Sequence, residues 1–89
     1  MKRLFEMIET LIRGGYDLSG EKIITVSGDI AQAADDAYDE MHALNEDAAD
    51  ELVEGLYDIG EEYDEGTPET AKEYTSRVKK LYEKTKNMM

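Results

Sequence analysis

The chain has 89 residues, 40% apolar and 36% charged, with 22 Asp and Glu against 10 Lys and Arg and a formal net charge of -12. That length suits one domain over residues 1–89, and the charge speaks against direct binding of nucleic acid or an anionic membrane surface and for a basic protein partner, because like charges repel. Cysteine is absent, which excludes disulfides and thiolate metal sites, and no apolar run approaches the roughly eighteen to twenty residues of a membrane span, so the chain is expected in the cytoplasm.

Lys2 to Arg13 places Leu4, Ile8, Leu11 and Ile12 at helical spacing with Phe5 beside them, an amphipathic helix rather than a signal peptide. Gly14-Gly15 stops it, since glycine takes the left-handed conformation without a Cβ clash. Tyr16 to Gly28 is the least helical stretch. Its Asp17, Ser19 and Gly20 form turns, and the β-branched run Ile23-Ile24-Thr25-Val26 suits an extended segment. With no second such run, it lies over the helices as a connector or pairs with a second copy in a homodimer.

Ser27 or Asp29 is expected to cap the next helix. On that helix Ile30, Ala33, Ala34, Ala37, Tyr38, Met41 and Leu44 fall within an arc of roughly 140°, opposite Asp29, Asp35, Asp36, Asp39 and Glu40. Asn45 offers a second cap, followed by Glu46 and Asp47 at the positive end of the helix dipole, although one long bent helix from 29 to 64 fits the pattern as well. The third apolar face carries Ala49, Leu52, Val53, Leu56, Ile59 and Tyr63, with Gly60 as a close-packing position. Gly66-Thr67-Pro68-Glu69 then combines a helix stop, a cap, a first-turn proline and an acid. The last helix aligns Ala71, Tyr74, Val78, Leu81 and Tyr82, carries bases toward its C-terminal end, and is expected to fray at Asn87-Met88-Met89. These elements make an all-α domain, a small bundle of three to four helices with a short extended segment near residues 22–26.

Few residues suit catalysis. The only histidine is His42 and the serines have no nucleophile signature around them, so no enzyme is expected. On one continuous helix Asp39, His42 and Glu46 would share a face, which raises a metal-binding bundle acting as a dimer; the bland alternative is a surface histidine, and no metal or other cofactor is assigned.

The charge distribution is more informative. Between Ile23 and Gly66 there are fifteen acids and not one Lys or Arg, whereas a face selected for solubility alone usually mixes signs to gain helical ion pairs. The ten acids from Glu46 to Glu65 span about 30 Å if helical, close to one charge per 3 Å, against one phosphate per 3.4 Å along a DNA strand. In charge and size the chain resembles the small acidic phage proteins that block restriction, CRISPR or DNA-repair enzymes, which implies an inhibitor that mimics DNA on the basic surface of a nucleic-acid-binding enzyme. Tyr57 to Asp64, followed by Gly66-Thr67-Pro68, is similar over barely a dozen residues to the toxin-facing region of nuclease-colicin immunity proteins, without their adjacent tyrosine pair. That resemblance implies an alternative, an immunity- or antitoxin-like neutraliser of a basic toxin or enzyme. For either, the expected binding strip is Glu46, Asp47, Asp50, Glu51, Glu54, Asp58, Glu61 and Glu62, with Tyr57 as an aromatic anchor and Asp35, Asp36, Asp39 and Glu40 as a second row.

Overall fold

The computed structural model describes residues 1–89 as four helices, α1 (Lys2–Ile12), α2 (Lys22–Leu44), α3 (Glu46–Glu61) and α4 (Pro68–Met88), with no strand. The helices pack in the cyclic order α1, α2, α3, α4, leaving α1 opposite α3 and α2 opposite α4. Their apolar faces meet in one core cluster of 19 residues. The molecule measures 37 × 20 × 20 Å, its long axis matching the roughly 34 Å that the 23 residues of α2 span.

The segment 22–26 is helical and not extended. α2 begins at Lys22, so neither Ser27 nor Asp29 is its cap; Ser27 is buried and its hydroxyl donates to the Ile24 carbonyl at 3.1 Å, and Asp29 is exposed on the helix surface. The magnitudes explain the outcome. Helix formation costs a β-branched residue at most about 0.7 kcal/mol relative to alanine, whereas each buried backbone group left unpaired costs about 1–3 kcal/mol. The helix also brings Ile23, fully buried, into line with Ile30 and Ala34 on the core face. A helical segment has no open strand edge, so pairing of a second chain through Ile23–Val26 loses its basis.

The turn before α2 is organised by Asp17, whose carboxylate accepts from the Ser19 amide (3.0 Å), the Ser19 hydroxyl (2.7 Å) and the Lys22 ammonium (2.7 Å). Gly20 then bonds Gly66 through both backbone groups, at 2.9 and 2.8 Å, tying the α1–α2 connection to the α3–α4 connection. At Gly66 a Cβ would run into the Leu18 carbonyl.

Asn45 separates α2 from α3, which removes the single bent helix. It is extended (φ -160°, ψ 110°), its side-chain oxygen accepts from the Ala48 amide at 3.0 Å, and its side-chain NH2 donates to the Met88 carbonyl at 2.7 Å. The chain reverses there at once. Leu44, expected on the apolar face, is therefore 64% exposed, and Met88, expected to fray, ends a helix anchored by the same asparagine. α3 stops at Glu61 rather than reaching Glu65, although Tyr63 just beyond it is still buried. Thr67 and Thr70 cap α4 reciprocally, through Thr70 N to Thr67 Oγ1 (3.1 Å) and Thr67 N to Thr70 Oγ1 (2.8 Å).

Two glycine substitutions should act in opposite directions. Gly66→Ala is expected to destabilise by about 1–3 kcal/mol, since backbone must move. Gly28→Ala, in mid-helix where a Cβ meets nothing within 4 Å, should stabilise by about 0.5–1 kcal/mol. Urea unfolding of both variants against the parent checks the pair; a neutral Gly66→Ala would contradict the close crossing at Leu18.

Candidate functional site

α2 and α3 lie antiparallel, joined through Asn45 alone, and two tyrosines cross the seam between them in opposite directions. The Tyr38 hydroxyl on α2 donates to Asp50 on α3, and the Tyr57 hydroxyl on α3 donates to Asp35 on α2 at 2.5 Å. Each bond places a carboxylate over the partner helix and holds it there. Donation to Asp50, partial desolvation, and the charges of Asp50, Glu46 and Glu54 push the Tyr38 phenol up to about 12. Tyr57 shifts the same way through its bond to Asp35, desolvation, and the charges of Asp35 and Asp36.

The thirteen residues expected to form the interface divide by what stands beside them. Four acids are matched by cations of the flanking helices: Asp36 by Arg3 (4.0 Å), Glu40 by the amino group of Met1 (2.8 Å), Glu51 by Lys84, and Glu62 by Arg77 (2.7 Å). The Arg77 guanidinium, which also donates to the Tyr63 hydroxyl at 3.2 Å, holds the Glu62 carboxyl below its usual range. These four line the edges where α2 meets α1 and α3 meets α4, with the Asp36, Glu40 and Glu62 side chains still exposed.

The remaining acids, Asp35, Asp39, Glu46, Asp47, Asp50, Glu54, Asp58 and Glu61, meet no Lys, Arg or ammonium. With Tyr57 they form one continuous face across α2 and α3. Helical periodicity groups Glu46, Asp50, Glu54, Asp58 and Glu61 on the arc of α3 that points away from the core, and Tyr57 stands at the α2 side of that arc, 39% exposed.

This arrangement opposes helix stability. Glu46, Asp50, Glu54 and Asp58 follow one another at intervals of four, and each like-charged pair of that spacing costs roughly 0.2–0.5 kcal/mol. Asp58 and Glu61 also lie at the negative end of the α3 dipole, where carboxylates are unfavourable. Only Glu46 and Asp47, in the first turn, gain from the dipole.

The metal arrangement does not form. Asn45 places Asp39 and His42 on one helix and Glu46 on the next; His42 Nε2 stands 3.9 Å from Glu46 Oε1, and no three His, Asp or Glu side chains converge as a ligand set. The structure adds one site residue that the sequence pattern assigned to the core. Tyr38 is only half-buried, and its place at the edge of the apolar arc is the signal that marks it.

No family model, curated protein or solved structure matches the chain. No helix is long and apolar enough to cross a membrane.

Two measurements test this electrostatic picture. Because the phenol value of Tyr38 is raised, its contribution to stability is intact below the ordinary value of 10.0 and is lost as pH rises toward about 12. Phenolate absorbance should show Tyr38→Phe removing one late-ionising group; an unchanged late step would refute the bond to Asp50. Raising NaCl from about 0.01 to 1 M, which shortens the screening length from about 30 to 3 Å, should raise the melting temperature by several degrees, because net repulsion among the acids is screened. A fall would mean that the four ion pairs outweigh the repulsion.

Proposed function

We propose that this protein is a stoichiometric inhibitor that uses the α2–α3 face to occupy a basic, nucleic-acid-binding surface of a partner enzyme, in the manner of DNA-mimicking anti-restriction or anti-CRISPR proteins. The observation that carries this reading is the sorting of the acids: those at the margins are matched by cations, and the eight in the middle are left unmatched at a cost to the helices. A face needed only for solubility gains nothing from that cost. Six of these charges, Glu46, Asp47, Asp50, Glu54, Asp58 and Glu61, lie along the roughly 22 Å of α3, about one per 4 Å, and Asp35 and Asp39 stand beside them on α2, against the 3.4 Å phosphate spacing of a DNA strand. A basic groove that holds phosphates would meet a comparable density on a rigid support, with steering at long range and release of bound ions on contact.

Exposed Tyr57 within the acids favours a second reading, in which the basic surface belongs to a toxin or enzyme and lies outside any nucleic-acid groove. Competition separates the two. Basic proteins retained from a cell extract on the immobilised chain should be released by duplex DNA and by about 0.5 M salt if the face mimics DNA. Retention that resists DNA but not salt supports the neutraliser. In both cases Glu54→Lys with Asp58→Lys should abolish retention while circular dichroism stays helical; these two carboxylates make no contact that the fold uses. Normal retention by that variant would remove the face from the interface.

A further inference from the structure

Beside the acidic face, between the N-terminal half of α2 and the C-terminal half of α3, runs an open groove of about 390 Å³, at the small end of the range for ligand pockets. Four large apolar side chains of the molecule are exposed, and two of them, Ile24 (48%) and Tyr57 (39%), stand on this groove, one from each helix. Small residues line it: Gly28 and Ala31 on α2, Gly60 on α3. Gly60 lets the helices approach, since a Cβ there would stand 3.3 Å from that of Ser27. Gly28 is different. A Cβ there meets nothing within 4 Å, so helix packing does not call for glycine, and in a helix interior glycine costs about 1 kcal/mol relative to alanine. What glycine does at position 28 is leave the groove open.

Glu61 and Asp64 border the same groove, and neither has an ion-pair partner within the molecule. An apolar floor edged by uncompensated carboxylates repels nucleic acid and anionic lipid, and it suits a large apolar side chain with cations on either side. Tyr57 and Glu61 belong to the groove and to the acidic face alike, so one bound segment reaches both. The larger hollow between α1 and α4, about 480 Å³, has the opposite sign, being edged by Lys72 and Lys79, and it lies away from these acids.

We infer that this groove is the apolar half of the interface, and that it takes one large apolar side chain, flanked by Lys or Arg, from a basic segment of the partner protein. The inference rests on the proposed use of the α2–α3 face. It adds that recognition is not by charge alone: the partner must offer an anchor beside its cations.

The chain contains no tryptophan, so a tryptophan in a probe peptide reports its own burial without background. The probes are a lysine nonapeptide with one central tryptophan and the same peptide with central alanine. At about 0.15 M salt the tryptophan peptide should bind at least about tenfold more tightly, with its emission shifted to the blue. Gly28→Leu fills the groove without changing any charge. It should abolish the tenfold preference and the blue shift, leave the alanine peptide bound as before, and melt no lower than the parent. Ile24→Ser, which removes one lip at an exposed position, should reduce the preference in the same direction.

Equal affinity of the two peptides for the parent would overturn the inference, as would a Gly28→Leu variant that still prefers tryptophan. A parent chain that sediments as a dimer and becomes monomeric on Gly28→Leu would also overturn it, by giving the groove to a second copy. The failures are distinguishable. If both peptides bind equally and Glu54→Lys with Asp58→Lys releases both, the acidic face stands and the groove does not. If that double variant releases neither, the face itself is at fault.

Discussion

Repulsion among fifteen carboxylates on one stretch of chain is the constraint that the rest of this fold answers. Two helices side by side with like-charged outer faces separate unless something holds them, and here three devices do so. Apolar burial comes first, with Ile30, Ala34 and Met41 of α2 and Leu52 and Leu56 of α3 almost wholly removed from water. Small residues bring the axes together, as at Gly60 against Ser27. Finally, the bases of α1 and α4 stand at the outer margins of the pair, where Arg3, Lys84 and Arg77 take up Asp36, Glu51 and Glu62. Exposed pairs of this kind contribute about 0–1 kcal/mol each. They matter less for stability than for shape: the negative potential is trimmed at its edges and concentrated in the middle.

The same economy of means appears at Asn45. One side chain caps the first turn of α3 through its oxygen and holds the last turn of α4 through its nitrogen, so the reversal between the two acidic helices and the end of the basic helix share an anchor. The bridge from Gly20 to Gly66 does the equivalent work at the opposite connections. Between these two fixed points the tyrosine bonds to Asp35 and Asp50 set the register of the seam, and with it the spacing of the acidic rows.

Local signals made much of this legible. Gly14 takes the left-handed conformation (φ +79°) just past the end of α1; Asn45 and Thr67 cap where their side chains predict. The core faces of α3 and α4 follow from spacing, and Leu52, Leu56, Val78 and Tyr82 are buried as their positions require. The failure at Ile23–Val26 has a clear cause. Strand propensity is a preference for a pleated, half-buried surface with neighbours to pair, and this chain offers none, so the weaker helical propensity prevailed once Ile23 could join the core. Leu44 and Met88 failed in a related way, because both depend on a turn whose geometry one asparagine decides.

The candidate face shows where local reasoning stops. That the acids stand outside follows from local pattern: helical periodicity is a property of successive residues, and apolar and charged positions separate on it without reference to any other helix. It is equally local that no Lys or Arg stands between residues 23 and 66 to answer those acids. Which acids are answered from elsewhere was decided only by the tertiary structure. The pairs that matter join positions such as Asp36 with Arg3 and Glu51 with Lys84, on helices brought together by core packing, and no local pattern in the chain encodes which helix becomes the neighbour of which. The groove at Gly28 belongs to the same class. A helical glycine is an ordinary weakness until a second helix arrives beside it and leaves the space above it open.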